Sequence, residues 1–218
     1  MAGNDTGAPQ GVPGLKQPTR PAAAKRPTAQ APLRNTNAWS TRQLVTMALL
    51  CAIGVLLSFV EFPLLPGVAW LKYDASAMPA MVCGFAFGPA AGLAVGVVEA
   101  ILHGILMADF SGAVMNILVV AGFVLPAASV YRRWRTLRGA IAGLALGILG
   151  ATAMAVAGNL VITPGWLGVP FDAVVAMIAP VLIPFNVAKA AINAVLTLVV
   201  YKAVSNLITP KKDQVRGR

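Results

Sequence analysis

From Met177 to Tyr201 the chain runs for 25 residues with a single charge, Lys189. An apolar stretch of this length is long enough to cross a bilayer as a helix, the conformation that satisfies its backbone internally. An ammonium near the middle of such a helix costs roughly 2.5 to 3.5 kcal/mol on insertion scales. At a helical rise of ~1.5 Å per residue, Lys189 stands about 18 Å from either end of the run, beyond easy reach of water. Any fold for this chain must therefore give Lys189 a partner, a cavity or a ligand.

Composition extends the argument to the whole chain. Of 218 residues 58% are hydrophobic and 11% charged, whereas a soluble domain carries about 25% charged residues on average. This predicts an all-α integral membrane protein. The net charge of +10 does not point to nucleic acid, because the basic residues sit at segment ends. Lys16, Arg20, Lys25, Arg26, Arg34 and Arg42 precede the first apolar run, Arg132, Arg133, Arg135 and Arg138 share one short loop, and Lys202, Lys211, Lys212, Arg216 and Arg218 follow the last. Such a pattern puts all three regions in the cytoplasm, near anionic headgroups of the lipid bilayer. Residues 1–40, rich in Pro, Ala and Lys/Arg and lacking an apolar signal core, are expected to be a disordered basic cytoplasmic tail; residues 206–218 form a second basic tail.

Between the tails, residues 41–205 divide at turn residues and charges into six helical segments: 41–60, 75–88, 91–107, 112–131, 138–162 and 177–205. Six crossings return the chain to its starting side, in agreement with cytoplasmic N- and C-termini. The second segment is short and parted from the third only by Gly88-Pro89, so five helices and a re-entrant piece is the alternative. Trp39 and Trp134 fall on the inner side, and Trp70 and Trp166 in two outer connections, 61–74 and 163–176, as expected of headgroup-seeking indoles. Glu61, Asp74 and Asp172 lie in the same connections and Asp109 in a third, around 108–111. Glycines at 84, 88, 92 and 96, and at 139, 143 and 147, predict close helix packing.

Enzymatic chemistry finds little support. There is no phosphate loop, no GxSxG or HExxH, and no cysteine spacing suited to a disulfide or metal; Cys51 and Cys83 lie within apolar runs. Glu99 and His103, four apart, share a helix face; an intramembrane enzyme or metal site would use them, but without a third ligand a structural pair or a cavity-lining role is the simpler reading. A retinal-type Schiff base on Lys189 lacks a counter-ion that the sequence identifies. Binding has better support. Asn186 and Lys189, three apart, share one face of the last helix, Asn159 lies deep in the fifth and Asn116 in the fourth. Amides and an ammonium together suit the polar edge of a flat heterocycle; the alternative, strongest for Asn116, is interhelical hydrogen bonding.

Four stretches carry a family resemblance: Leu71-Lys72-Tyr73-Asp74-Ala75-Ser76-Ala77-Met78-Pro79-Ala80, Phe87-Gly88-Pro89-Ala90-Ala91-Gly92, Asn116 with Leu125-Pro126, and Pro184-Phe185-Asn186-Val187-Ala188-Lys189. The chain resembles the substrate-binding S subunit of energy-coupling-factor (ECF) vitamin transporters of the riboflavin type. That resemblance implies a six-helix S-component fold in a bacterial cell membrane, binding riboflavin from outside as transported ligand, not cofactor, under a lid that includes Asp74. It implies that Asn159, Asn186 and Lys189 contact the polar edge of the isoalloxazine ring. It also implies docking through Ala48-x-x-x-Ala52 to a transmembrane coupling subunit carrying two ATPase subunits. The chain departs from the family at Ala75 and Ala77, where an aromatic and a second acid are usual, and at Leu102-His103, where Lys-Asn is typical. An S subunit for another vitamin or flavin is the alternative the same frame allows.

Overall fold

The computed structural model describes residues 39–208, with side chains as far as Val200; the basic stretches 1–38 and 209–218 lie outside the described residues. Helices dominate: α1 (Thr41–Ser58), α2 (Ala77–Phe87), α3 (Pro89–Met107), α4 (Phe110–Arg133), α5 (Leu137–Leu167), α6 (Phe171–Met177) and α7 (Ile183–Ile208), the last two joined by a π-helical turn, Ile178–Leu182. Pro180 and Pro184 explain that turn, because each lacks the N–H that would continue the α-helical ladder. With α6, the π turn and α7 forming one continuous rod, six helical segments are present, each overlapping one predicted from the sequence.

Five of these rods are long and apolar enough to cross a membrane, and no more than 44% of any spanning window is buried in the bundle. Their outward faces are apolar: Leu49, Leu56, Ile105, Leu149, Val161 and Val199 are all exposed. A soluble fold would invert this, so the chain is a multi-pass membrane protein. The eleven-residue α2 is different. It is shorter than a spanning helix, and eight of its residues are buried, with Ala80, Met81 and Cys83 fully enclosed. It is an inner element, walled in by its neighbours.

Small residues set the close packing. A Cβ on Gly150 would lie 2.2 Å from the Gly122 carbonyl oxygen, and one on Gly143 or Gly147 would lie 2.6 Å from a carbonyl of α4. A Cβ on Gly92 would meet the Gly84 Cα at 2.6 Å. The four-residue glycine spacing thus serves helix contact, except at Gly139, which packs on Trp134 just beyond α4, and at Gly88, whose φ of 101° makes the turn between α2 and α3.

Two connections differ from expectation. The 163–176 segment is mostly helical: α5 continues through Pro164 to Leu167, Gly168 ends it in the left-handed conformation, and α6 starts at Phe171. Near a helix end, Pro164 removes one ladder bond without ending the helix, so Pro-Gly was a misleading stop signal. The 61–74 connection carries a short antiparallel pairing, Phe62 with Tyr73 and Pro63 with Lys72, and then turns inward. Leu71 joins Val174, Leu182 and Phe185 in a buried apolar cluster, which fastens this loop onto α5, α6 and the π turn.

Candidate functional site

The inward turn of that loop meets the anomalous lysine. Lys189 Nζ donates to Asp74 Oδ2 at 2.7 Å and to the Lys72 carbonyl at 3.3 Å. The side chains of Lys189 and Asp74 are only 14% and 8% exposed. Asp74 also accepts from the Ser76 backbone N–H at 3.0 Å and from the Ser76 hydroxyl. Burial pushes the Asp74 carboxyl up, but the adjacent Lys189 ammonium and the Ser76 hydrogen bonds outweigh it and hold the group below its ordinary value. The counter-ion absent from the sequence reading is therefore Asp74, 115 positions away along the chain. Asn193 completes the tie, donating to the Asp74 carbonyl at 3.1 Å. Its position was available from spacing, since 186, 189 and 193 follow the i, i+3, i+7 pattern of one helix face.

Beside this pair lies a cavity of about 450 Å³, within the ~300–1,000 Å³ usual for small-molecule sites. Asp74, Asn116, Asn159, Asn186 and Lys189 all line it, so the five pocket residues singled out from the sequence converge from the loop, α4, α5 and α7. Apolar surface comes from Leu71, Met107, Met115, Val119, Ile162 and Phe185. Asn159 donates to the Ala155 carbonyl at 2.8 Å and accepts from Thr163 at 2.7 Å; Asn186 donates to the Leu182 carbonyl at 2.8 Å, which leaves its amide oxygen as the acceptor it can offer. These internal bonds fix both amides in orientation.

Residues of the predicted outer connections also line the cavity. Trp70 and Trp166, expected in the headgroup layer, form an edge-to-face pair with ring centroids 6.3 Å apart and both line the cavity. Lys72 pairs with Glu61. Asp109 caps α4, its Oδ1 accepting from the Gly112 N–H at 2.8 Å and from Ser111 at 3.1 Å. The cap was legible as an acid just before a helical run; its access to the cavity was not.

Glu99 and His103 do not bond each other, and of the two simpler readings the cavity-lining role holds for His103. His103 lines the cavity and its Nδ1 lies 2.8 Å from the Ser58 hydroxyl. Glu99 is 1% exposed, packs against Gly54, and neither of its carboxyl oxygens has a hydrogen-bond partner among the described residues. One helical turn puts the two on the same side, where both face α1, Glu99 beside Gly54 and His103 beside Ser58. No group of three or more metal-ligating side chains occurs among the described residues. Ala48 and Ala52 are both exposed on α1, away from the cavity lining.

A multi-pass helical bundle with one mixed polar and apolar pocket near its helix ends, closed on one side by an inward-folded loop, has the form of a membrane-embedded solute-binding protein. Residues 42–201 match the family described as "ECF transporter, substrate-specific component", and the chain belongs to that family. It is similar to the riboflavin transporter RibU of Staphylococcus aureus (strain TCH60), with 28% identity over 183 residues covering 80% of this chain and 96% of that protein. It is also similar to the riboflavin transporter FmnP of Bacillus subtilis (strain 168), with 26% identity over 188 residues covering 81% and 96%. Among solved structures, one described as the S component of a bacterial ECF transporter superposes with a TM-score of 0.68 at 28% identity, covering 78% of this chain and 98% of that one. These relatives are named as transporters, and the chain is a transporter component rather than an enzyme.

Proposed function

We propose that this chain captures riboflavin at the outer face of a bacterial cell membrane and delivers it inward when docked to a coupling subunit and two ATPase subunits. The observation that carries the reading is the convergence of Asn159, Asn186 and Lys189 on one cavity with an apolar lining. An isoalloxazine ring needs that combination: hydrogen-bonding groups for its carbonyl and nitrogen edge, and apolar side chains for its faces. Asn116 and Asp74 complete the polar lining. Riboflavin is cargo here, not a cofactor.

The loop of residues 59–76 is the lid, tied to α7 through Asp74. With Arg132, Arg133, Arg135 and Arg138 in the loop between α4 and α5, the positive-inside rule sets that end of the bundle in the cytoplasm, with both termini. The cavity then opens outward. Ala48 and Ala52 give α1 a flat exposed strip on which a partner helix can approach closely, the proposed contact with the coupling subunit.

The test is the identity of what the protein carries. Protein expressed in a riboflavin-producing host and purified in detergent is expected to show flavin absorption bands, and acid extraction should release riboflavin. A folded protein that carries no flavin and takes up none when riboflavin is added would refute the proposal.

A further inference from the structure

We infer that Glu99 is held in the bundle as a neutral carboxylic acid, and that through Ser76 it positions the Asp74–Lys189 pair. Glu99 is 1% exposed and Ser76 5%. A Cβ added at Gly54 would meet Glu99 Cγ at 3.0 Å and the Ser76 carbonyl oxygen at 3.5 Å, so the acid and the base of the loop pack on the same spot of α1. The ionisable groups that Glu99 faces are Cys51 on α1, Asp74 in the loop and Lys189 on α7, and the Ser76 hydroxyl neighbours both carboxyl groups. His103, one turn further along α3, is bonded to Ser58 instead.

Neither Glu99 oxygen has a hydrogen-bond partner among the described residues. An ionised carboxylate enclosed without a donor or a cation is costly, and such a group neutralises instead. The neighbours do not supply what is missing. Ser76 has one hydroxyl proton and gives it to Asp74 Oδ1, while Lys189 donates to Asp74 Oδ2 at 2.7 Å. Cys51 offers only a thiol, a weak donor. An ionised Glu99 would turn its acceptors toward the acceptor side of Ser76 and set a second negative charge beside Asp74. A proton on Glu99 removes both conflicts. Its O–H donates to Ser76 Oγ, Ser76 still donates to Asp74, and Asp74 still accepts from Lys189. The bonds then run from Glu99 through Ser76 and Asp74 to Lys189, with the charges of Asp74 and Lys189 balanced. The Ser76 backbone N–H also donates to Asp74, at 3.0 Å, so fixing Ser76 fixes the carboxylate that holds the lysine.

Infrared spectra of the detergent-purified full-length protein, taken without flavin, read the protonation directly. A carboxylic-acid carbonyl band is expected at neutral pH, lost in Glu99→Gln and shifted in Ser76→Ala, which deletes the acceptor of its proton. Lack of any band that depends on Glu99 would overturn the inference and leave a bound cation as the neutralising group. A band that Ser76→Ala does not move would overturn the link to Ser76. The positioning role is read from riboflavin affinity, an arm that rests on the riboflavin reading. Glu99→Gln keeps a donor for Ser76 and Glu99→Leu does not, so the leucine variant should bind riboflavin about fivefold more weakly than the glutamine variant, the scale of one hydrogen bond. Equal affinities in the two variants would overturn the positioning role. A wild type that binds no flavin would refute the riboflavin reading, while the band and its response to Ser76→Ala would still decide the state of Glu99.

Discussion

Removing one member of the Lys189–Asp74 pair leaves the other charge enclosed without its counterpart. At 14% and 8% side-chain exposure, Asp74→Asn should cost about 3 kcal/mol, the low end for a broken buried pair. Thermal unfolding in detergent measures this, and the double variant Asp74→Asn with Lys189→Met should recover most of the loss. Because the folded-state value of Asp74 lies below its ordinary one, the carboxylate's stabilising contribution is fully present above the unfolded pKa and is lost only as pH falls through the depressed value. Stability should therefore be insensitive to this group from about pH 8 to pH 5. For riboflavin binding, Lys189→Ala and Asn186→Ala should weaken affinity strongly and His103→Ala much less; similar losses from all three would point to a different arrangement of ligand. The lysine's need for a partner was legible from bilayer energetics alone. Its partner was not, because a contact across 115 positions depends on how far the loop folds inward, and nothing local to residues 61–74 encodes that depth.

At the scale of elements, α4 and α5 meet through glycines whose missing Cβ atoms set the distance between backbones. Gly150→Ala would drive a Cβ to 2.2 Å from the Gly122 carbonyl, a backbone atom that cannot rotate away. Overpacking of this kind should cost about 1–3 kcal/mol. Gly165→Ala is the comparison within the same helix, since nothing lies within 4 Å of its Cβ position; it should change stability by about 0.5 kcal/mol or less in the same detergent unfolding measurement. The spacing of Gly139, Gly143 and Gly147 announced a packing face without naming its partner helix. The six segments were likewise readable from apolar runs, with errors where Pro or Gly stood near a helix end: Pro164 did not stop α5, and Pro170 starts α6 instead of extending a loop. The β pairing of Phe62 with Tyr73 left no sequence signal, being two residues long on each side.

For the molecule as a whole, the surfaces proposed for binding and for coupling lie on different elements. The cavity is built from the 61–74 loop, α3, α4, α5 and α7, while Ala48 and Ala52 lie exposed on α1. Replacing both alanines with leucine should leave riboflavin affinity within about twofold, an energy of roughly 0.4 kcal/mol. It should abolish uptake in cells that supply the coupling subunit and ATPases, because the added bulk separates helices that must approach closely. Loss of binding together with uptake would place α1 in the site instead. The proposed separation was partly legible in the sequence, where no phosphate loop occurs and Ala48-x-x-x-Ala52 is a small-residue pattern suited to helix contact.

Titration of riboflavin into flavin-free, folded protein tests whether the cavity around Lys189 is a riboflavin site. Saturable quenching of flavin fluorescence is expected at one ligand per chain, with the transition lost or greatly weakened in Lys189→Ala. Unchanged flavin fluorescence with the wild-type protein, or equal binding by wild type and Lys189→Ala, would contradict it.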